Sequence, residues 1–292
     1  MADSPVRWAI VGVGIAGFAR SKAIAHDPRS VLAAVWRGRK ADETGAPRVA
    51  RFEEAVQAAD AVAVCSPTPA HPEQVLAALQ AGRHVVCEFP LAPDAATAAS
   101  LFALARARQR VLHVEHIELL TGTASVLRAN VRPLLVRRVD VGFRGGGPEE
   151  APGAELALRN VARLHRLVDV AGPVVEVLEV HHAHGRLEAL LRLDSGGEAH
   201  LLFEQSPLFR RTTRLKVHDG EWTWRQENQA LWRDRTQQTL VESAPLFDQD
   251  HAAAMARILG DRREDYVREE TILHVLRVVQ ALRDGRTGPV SG

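Results

Sequence analysis

The chain has 292 residues, 46% hydrophobic and 25% charged, enough for about two ordinary domains with their own cores. Its 37 basic and 36 acidic residues are interspersed, and no basic stripe interleaved with aromatics points to nucleic acid. No apolar run reaches the roughly 18–20 residues of a membrane span, and Met1–Pro5 has no secretory apolar region, so a cytoplasmic protein without membrane or nucleic-acid partners is expected.

The first element is an apolar run, Trp8–Val11, that reads as a buried parallel strand. It ends in Gly12-Val13-Gly14-Ile15-Ala16-Gly17, which fits G-x-G-x-x-G. In this pattern Gly12 permits the tight turn, Gly14 lets the backbone approach a pyrophosphate, and Gly17 lets the next helix pack on the strand. That helix, opening at Ile15, aims its free amides and positive dipole end at the phosphates. A second strand follows at Val31–Trp36. Just past it a carboxylate would hold the ribose hydroxyls of NAD, but the residues are Arg37-Gly38-Arg39-Lys40. Arg37 and Arg39 suit a 2′-phosphate, so NADPH is the expected cofactor, with NADH the weaker ligand.

Pro47–Phe52 reads as a weak strand and Glu53–Ala58 as a short helix. Strand Ala61–Cys65 runs into Ser66-Pro67-Thr68-Pro69, and His71 follows. A turn rich in Pro and hydroxyls at a parallel strand's C-terminal end sits where Rossmann ligands bind, so Ser66, Pro67, Thr68 and His71 join the candidate cofactor contacts. Helix Glu73–Ala81 precedes strand His84–Cys87, which leads into Glu88-Phe89-Pro90. Helix Asp94–Arg108, capped by Asp94, precedes strand Val111–Val114. The alternation predicts an α/β Rossmann domain over residues 1–118, a doubly wound parallel sheet. The two cysteines, Cys65 and Cys87, lie in apolar runs and read as reduced core thiols.

Residues 119–292 read as an α+β substrate domain. Arg144–Glu150 is expected to be a flexible connection to a long helix. Arg159, Arg163 and Arg166 fall at i, i+4 and i+7 on that helix, three cations that suit an acidic substrate; pairing within the helix, for example to Glu155, is the plainer role for such a face. Val174–His184, Gly185–Asp194, Glu198–Gln205, Thr212–His218, Glu221–Gln226 and Leu231–Val241 alternate polar with apolar residues. They predict a large open, mainly antiparallel sheet, with a monomer or a homodimer through its open face. His181, His182 and His184 lack a fitting ligand partner and read as a strand's polar face, so no metal is expected. Trp222 and Trp224 are placed on one strand face, as core, with Trp232 nearby. Helices Leu246–Leu259 and Tyr266–Leu282 complete the chain, the second returning to the first domain.

Gly12-x-Gly14-x-x-Gly17, Ala81–Val85 and Glu88-Phe89-Pro90-Leu91 resemble the glucose–fructose oxidoreductase/inositol dehydrogenase (Gfo/Idh/MocA) superfamily. Most members carry Glu-Lys-Pro at Glu88-Phe89-Pro90. The biliverdin reductase branch has an aromatic residue there, normally tyrosine, and shares Val111-Leu112-His113-x-Glu115-His116-x-Glu118-Leu119-Leu120. Sugar-oxidising members place an Asp and a His on the helix that opens the second domain; registered on Ala171–Val174, those positions are Leu158 and Ala162. Arg163 aligns with an arginine of the biliverdin reductases. The resemblance implies reduction of a linear tetrapyrrole by hydride transfer from NADPH to its central methine bridge. Glu88 and Phe89 then lie beside the nicotinamide, Phe89 as a packing surface, with Glu115 and Glu118 nearby. Arg159, Arg163, Arg166 and Glu118 hold the substrate. Water, a substrate propionate or a hydronium held by Arg163 or Arg159 delivers the proton. A sugar or cyclitol dehydrogenase of the superfamily and a non-catalytic NADPH-binding regulator are the alternatives.

Overall fold

Five apolar runs make one parallel sheet in the order β2-β1-β3-β4-β5, in a computed structural model that describes residues 4–147, 151–240, 244–261 and 266–290. They are β1 (Val6–Val11), β2 (Ser30–Trp36), β3 (Ala61–Val64), β4 (His84–Cys87) and β5 (Leu112–Val114). All four residues of β3 are buried, as a parallel strand covered on both faces requires. Helices α1 (Ile15–His26), α2 (Phe52–Gln57), α3 (His71–Gln80) and α4 (Ala95–Ala107) alternate with the strands. Asp94 caps α4, its carboxylate accepting from the Thr97 amide at 2.8 Å. The weak strand expected at 47–52 reduces to one bridge, Arg48 with Val35, because Phe52 already starts α2.

The chain divides into two units. The first is Met1–Ile117 with Ala244–Glu269, and the second is Glu118–Ser243 with Glu270–Gly292. The second unit holds α5 (Gly122–Asn130), β6 (Arg138–Gly145), α6 (Gly153–Arg159), α7 (Val161–Ala171) and β7 (Val174–Ala183). After these come β8 (Arg186–Leu193), β9 (Glu198–Gln205), β10 (Thr212–His218), β11 (Thr223–Glu227), β12 (Ala230–Arg233) and β13 (Thr236–Gln237). Helix α8 (Leu246–Ile258) groups with the first unit. Helix α9 (Glu269–Arg283) groups, from Glu270 on, with the second, as does β14 (Gly288–Pro289). The return to the first domain is expected of α9; the helix that groups with that unit is α8.

The nine-stranded sheet runs β13-β12-β11-β10-β6-β9-β8-β7-β14. Every pair is antiparallel except β6 with β9. Strand β6 corrects the reading of Arg144 and Gly145 as a flexible connection: both end a central strand. Pro148–Glu150 of that segment lie outside the described residues. Leu187, Ala189, Leu191, Leu201 and Phe203 face the core. Their neighbours on the opposite face form a charge ladder, Arg144 to Glu204 at 2.8 Å, Arg186 to Glu188 at 2.8 Å and His200 to Glu188 at 2.9 Å. The open face is therefore polar, as period-two alternation demands. The strand expected at 231–241 is β12 and β13, and Val241 lies outside the described residues. Trp222 falls just before β11 and is 37% exposed, whereas Trp224 is buried and donates its indole N–H to Asp219; Arg233 lies over both rings, and only Trp224 is core.

Candidate active site

In the first unit the glycine loop is set by contacts that no side chain would allow. Gly12 has φ +90°, and a Cβ there would lie 2.6 Å from the Ser66 backbone; one on Gly17 would lie 2.3 Å from the Gly12 carbonyl oxygen. Gly14 is different: a Cβ there would meet nothing within 4 Å. The space in front of Gly14 is thus open, and α1 begins with no side-chain cap and no acid in its first turn. Unpartnered amides at an uncapped helix N-terminus are a ready anion cradle. The residues fit a dinucleotide pyrophosphate, with Val13, Ile15 and Ala16 lining the turn.

The basic turn is joined directly to this loop. The Val13 amide donates to the Arg37 carbonyl at 2.9 Å, and the Lys40 amide donates to the Val13 carbonyl at 3.1 Å. Gly38, at φ +121°, is obligatory, because a Cβ would strike the Val13 backbone at 2.3 Å. No local pattern around Gly38 signals this second constraint. Lys40 is engaged by Glu43 at 3.2 Å. Arg37 lies over the Trp36 ring at 4.6 Å, and Arg39 is exposed. A cavity of about 600 Å³ adjoins the turn, lined by Trp36, Arg37, Arg51, Phe52 and Gln74.

The loop after β3 is tied to the turn after β4. Buried His71 places Nδ1 2.8 Å from the Pro90 carbonyl and Nε2 2.8 Å from the Ser66 carbonyl. Both ring nitrogens are spent on the backbone, so His71 shapes the loop carrying Ser66, Pro67 and Thr68 and does not present itself to a ligand. Ser66 donates its hydroxyl to Gln74 at 2.5 Å. Across the turn, Phe89–Pro90 is a cis peptide, and the Phe89 ring stacks on His116 at 5.4 Å.

Behind the turn lies a buried polar network that sequence reasoning did not find. Arg20 of α1, wholly buried, pairs with Asp250 of α8 and reaches Glu88 at 3.4 Å. Asp250 also accepts from His113 at 2.8 Å and from the Tyr266 hydroxyl at 2.5 Å. The Tyr266 oxygen in turn accepts from the His116 amide at 2.8 Å. Burial works against the Asp250 carboxylate, but Arg20 and His113 hold it well below the usual carboxylate range. Burial and Asp250 keep Tyr266 neutral, and burial pushes the Cys65 and Cys87 thiols up. Glu115 goes the other way from Asp250: burial, then the neighbouring Glu88, raises it well above the carboxylate range.

The second unit gathers cations. The expected continuous helix breaks at Asn160, between α6 and α7, so Arg159 does not share one regular face with Arg163 and Arg166. Arg159 is exposed and pairs with Glu155 at 3.0 Å and Gln205 at 3.1 Å. Arg163 and Arg166 are buried. Arg163 pairs with Glu118 at 2.9 Å and covers the Phe143 ring of β6 at 4.4 Å. Arg166 lies 3.5 Å from Asp169, and burial, opposed by Asp169, lowers it to about 10, still a cation at neutral pH. Arg128 reaches the same Asp169 at 3.0 Å, and Arg211 the same Glu118 at 3.7 Å. Four guanidinium groups thus surround two carboxylates. Leu158 and Ala162 flank the break and offer no acid or base.

Residues 6–116 match the family described as "Oxidoreductase family, NAD-binding Rossmann fold", GFO_IDH_MocA. The chain is 28% identical over 221 residues to biliverdin reductase A of Mus musculus, covering 72% of this chain and 74% of that one. A 51-residue stretch, 18% of the chain and 15% of the relative, is 51% identical to inositol 2-dehydrogenase of Cereibacter sphaeroides. Among solved structures, biliverdin reductase of Synechocystis sp. PCC 6803, in complex with biliverdin and NADP+, superposes with a TM-score of 0.85. It is 25% identical, over 97% of this chain and 99% of that one. The Rossmann unit of this chain is thus similar to that of the Gfo/Idh/MocA oxidoreductases.

Proposed function

We propose that this oxidoreductase is an NADPH-dependent bilin reductase that reduces the central methine bridge of biliverdin-like tetrapyrroles, giving bilirubin. The observation that carries the reading is the arginine cluster: Arg128, Arg163, Arg166 and Arg211 exceed Glu118 and Asp169 by two positive charges. A linear tetrapyrrole brings two propionates, and guanidinium groups bind carboxylates in the paired geometry their fork provides. Relatives named biliverdin reductase support the same reading. Position 89 supports it too. A cationic lysine there serves sugar oxidation, whereas Phe89 offers a flat apolar surface, and Leu158 and Ala162 supply no base for oxidising a carbinol.

Gly12–Gly17 would hold the pyrophosphate, Arg37 and Arg39 the 2′-phosphate, and Ser66, Pro67 and Thr68 the adjoining ribose. The nicotinamide would lie beside Glu88 and Phe89. Bound there, the reduced cofactor supplies the hydride. Glu118 would orient Arg163 toward a propionate, and Arg166 would take the other; Arg159, at the surface, would steer the anionic substrate inward. Replacing Arg37 and Arg39 together by Glu should raise the KM for NADPH about 10–100-fold and leave that for NADH within a few-fold, since each charge-assisted bond contributes roughly 1.5–3 kcal/mol.

The direct test is absorbance: purified protein with biliverdin and either nucleotide, followed as the green pigment turns yellow. Conversion faster with NADPH than NADH is the expected result. Biliverdin that stays green while NADPH binds would overturn the bilin reading. Oxidation of myo-inositol or a related polyol under the same conditions would establish the cyclitol dehydrogenase suggested by the short inositol dehydrogenase match.

A further inference from the structure

The β4 and β5 ends place two carboxyl groups side by side. The Glu115 amide donates to the Cys87 carbonyl at 2.9 Å, extending the parallel register of Cys87 with Val114 by one residue. Glu88 and Glu115 therefore leave adjacent strands at the same level. Glu115 is wholly buried. Its Oε1 accepts from the Ile117 amide at 2.5 Å, and its Oε2 meets no N–H or O–H donor among the described residues. Its neighbour across the strand pair, one register position past Cys87 and Val114, is Glu88, whose side chain is 14% exposed.

The charged groups around the pair come from every neighbouring element. Arg20 is on α1, Asp250 on α8, Cys65 after β3, Cys87 on β4, His113 and His116 on or after β5, and Tyr266 after α8. Arg20 touches both Glu88 and Asp250, and Asp250 already takes His113 and Tyr266. The thiols and the phenol are neutral. Two further carboxylates, Glu88 and Glu115, thus rely on an Arg20 already committed to a third. Two carboxylates sharing a buried site cannot both ionise without strong cost, and a proton lying between them would satisfy the donorless Oε2.

We propose that Glu115 and Glu88 hold one proton in common, and that this pair surrenders it when the nicotinamide placed against Glu88 carries positive charge. The inference rests on the cofactor placement proposed above. Glu115 acts through Glu88 and is a positioning residue. With a neutral reduced ring nearby the proton stays; a cationic oxidised ring stabilises the second carboxylate and the proton leaves. Bilin reduction consumes one hydride at the bridge carbon and one proton at a pyrrole nitrogen. The proton lost by the pair equals the one the substrate must gain, and the new carboxylate favours the oxidised ring.

The test needs no bilin and no turnover. Proton exchange is measured as NADP+ and, separately, NADPH bind the whole protein, by calorimetry in two buffers of different ionisation enthalpy. The 2′-phosphate titrates alike in both nucleotides and cancels. About one proton more should be released with NADP+ than with NADPH. The NADP+/NADPH ratio of Kd should fall about tenfold per pH unit while the pair titrates. Glu115→Gln keeps an oxygen for the Ile117 amide and supplies a fixed donor to Glu88, so the difference should vanish. Glu88→Gln should abolish it too. Equal proton counts for the two nucleotides in the wild type, or an unchanged difference in Glu115→Gln, would overturn the proposal. Failure of both nucleotides to bind would instead overturn the cofactor assignment, and this inference with it. Biliverdin staying green while the proton difference persists would leave this inference standing and remove only the bilin substrate.

Discussion

Asp250→Ala should lower the unfolding free energy of this protein by about 3–5 kcal/mol, the usual cost of removing one partner of a buried ion pair. A shift of the denaturant midpoint at constant slope would report it. The size follows from what is left behind. Arg20 is wholly buried and, among the carboxylates of the described residues, is left with the 3.4 Å contact to Glu88, while His113 and the Tyr266 hydroxyl lose their common acceptor. A midpoint within about 0.5 kcal/mol of wild type, the range of ordinary surface substitutions, would contradict the network. The pH dependence has a definite sign. The folded Asp250 pKa lies below its unfolded value, so its contribution is complete above about pH 4 and is lost as the pH falls below that. Glu115 has the opposite shift: stability falls as pH rises above about 4.3, where the unfolded carboxyl ionises and the folded one does not. Asp250→Asn should therefore flatten the acid limb and leave the alkaline slope in place.

The network also shows where a sequence stops being informative. Strand runs such as Ala61–Val64 and the spacing of Gly12, Gly14 and Gly17 are local signals, because burial on both faces and close backbone approach act on consecutive residues. The Rossmann unit was legible for that reason, and so were the alternating strands of the sheet. Arg20 and Asp250 are 230 residues apart in sequence. Arg20 sits in a stretch of ordinary helix formers, and nothing in its neighbours signals complete burial. Strand β6 was hidden differently. Its outward positions include Arg138, Asp140, Gly142 and Arg144, so composition near Gly145–Gly147 read as a linker, although Val139 and Val141 are core. At Asn160 a single residue with φ −110° and ψ 22° separates Arg159 from the arginines it was grouped with. A count of i, i+4 and i+7 assumes an unbroken helix and cannot see that break.

Arg163→Ala should reduce kcat/KM for biliverdin by about 10–100-fold, the loss expected when one charge-assisted bond of roughly 1.5–3 kcal/mol is removed. Arg163 is 5% exposed, lies on the Phe143 ring and is aimed by Glu118, so the cation is presented in a fixed direction at low entropic cost. Arg163→Lys should recover part of the loss, because an ammonium keeps the charge but cannot match the two oxygens of a carboxylate. The substrate side gives the sharper comparison. A bilin with both propionates esterified should be a poor substrate for the wild type and lose little further on Arg163→Ala, since the partner of the missing charge is already gone; non-additivity of this kind marks two groups that touch. If the ester and the free acid lose activity equally on Arg163→Ala, the arginine does not contact a propionate. The two-charge surplus of the cluster would then belong to another anion.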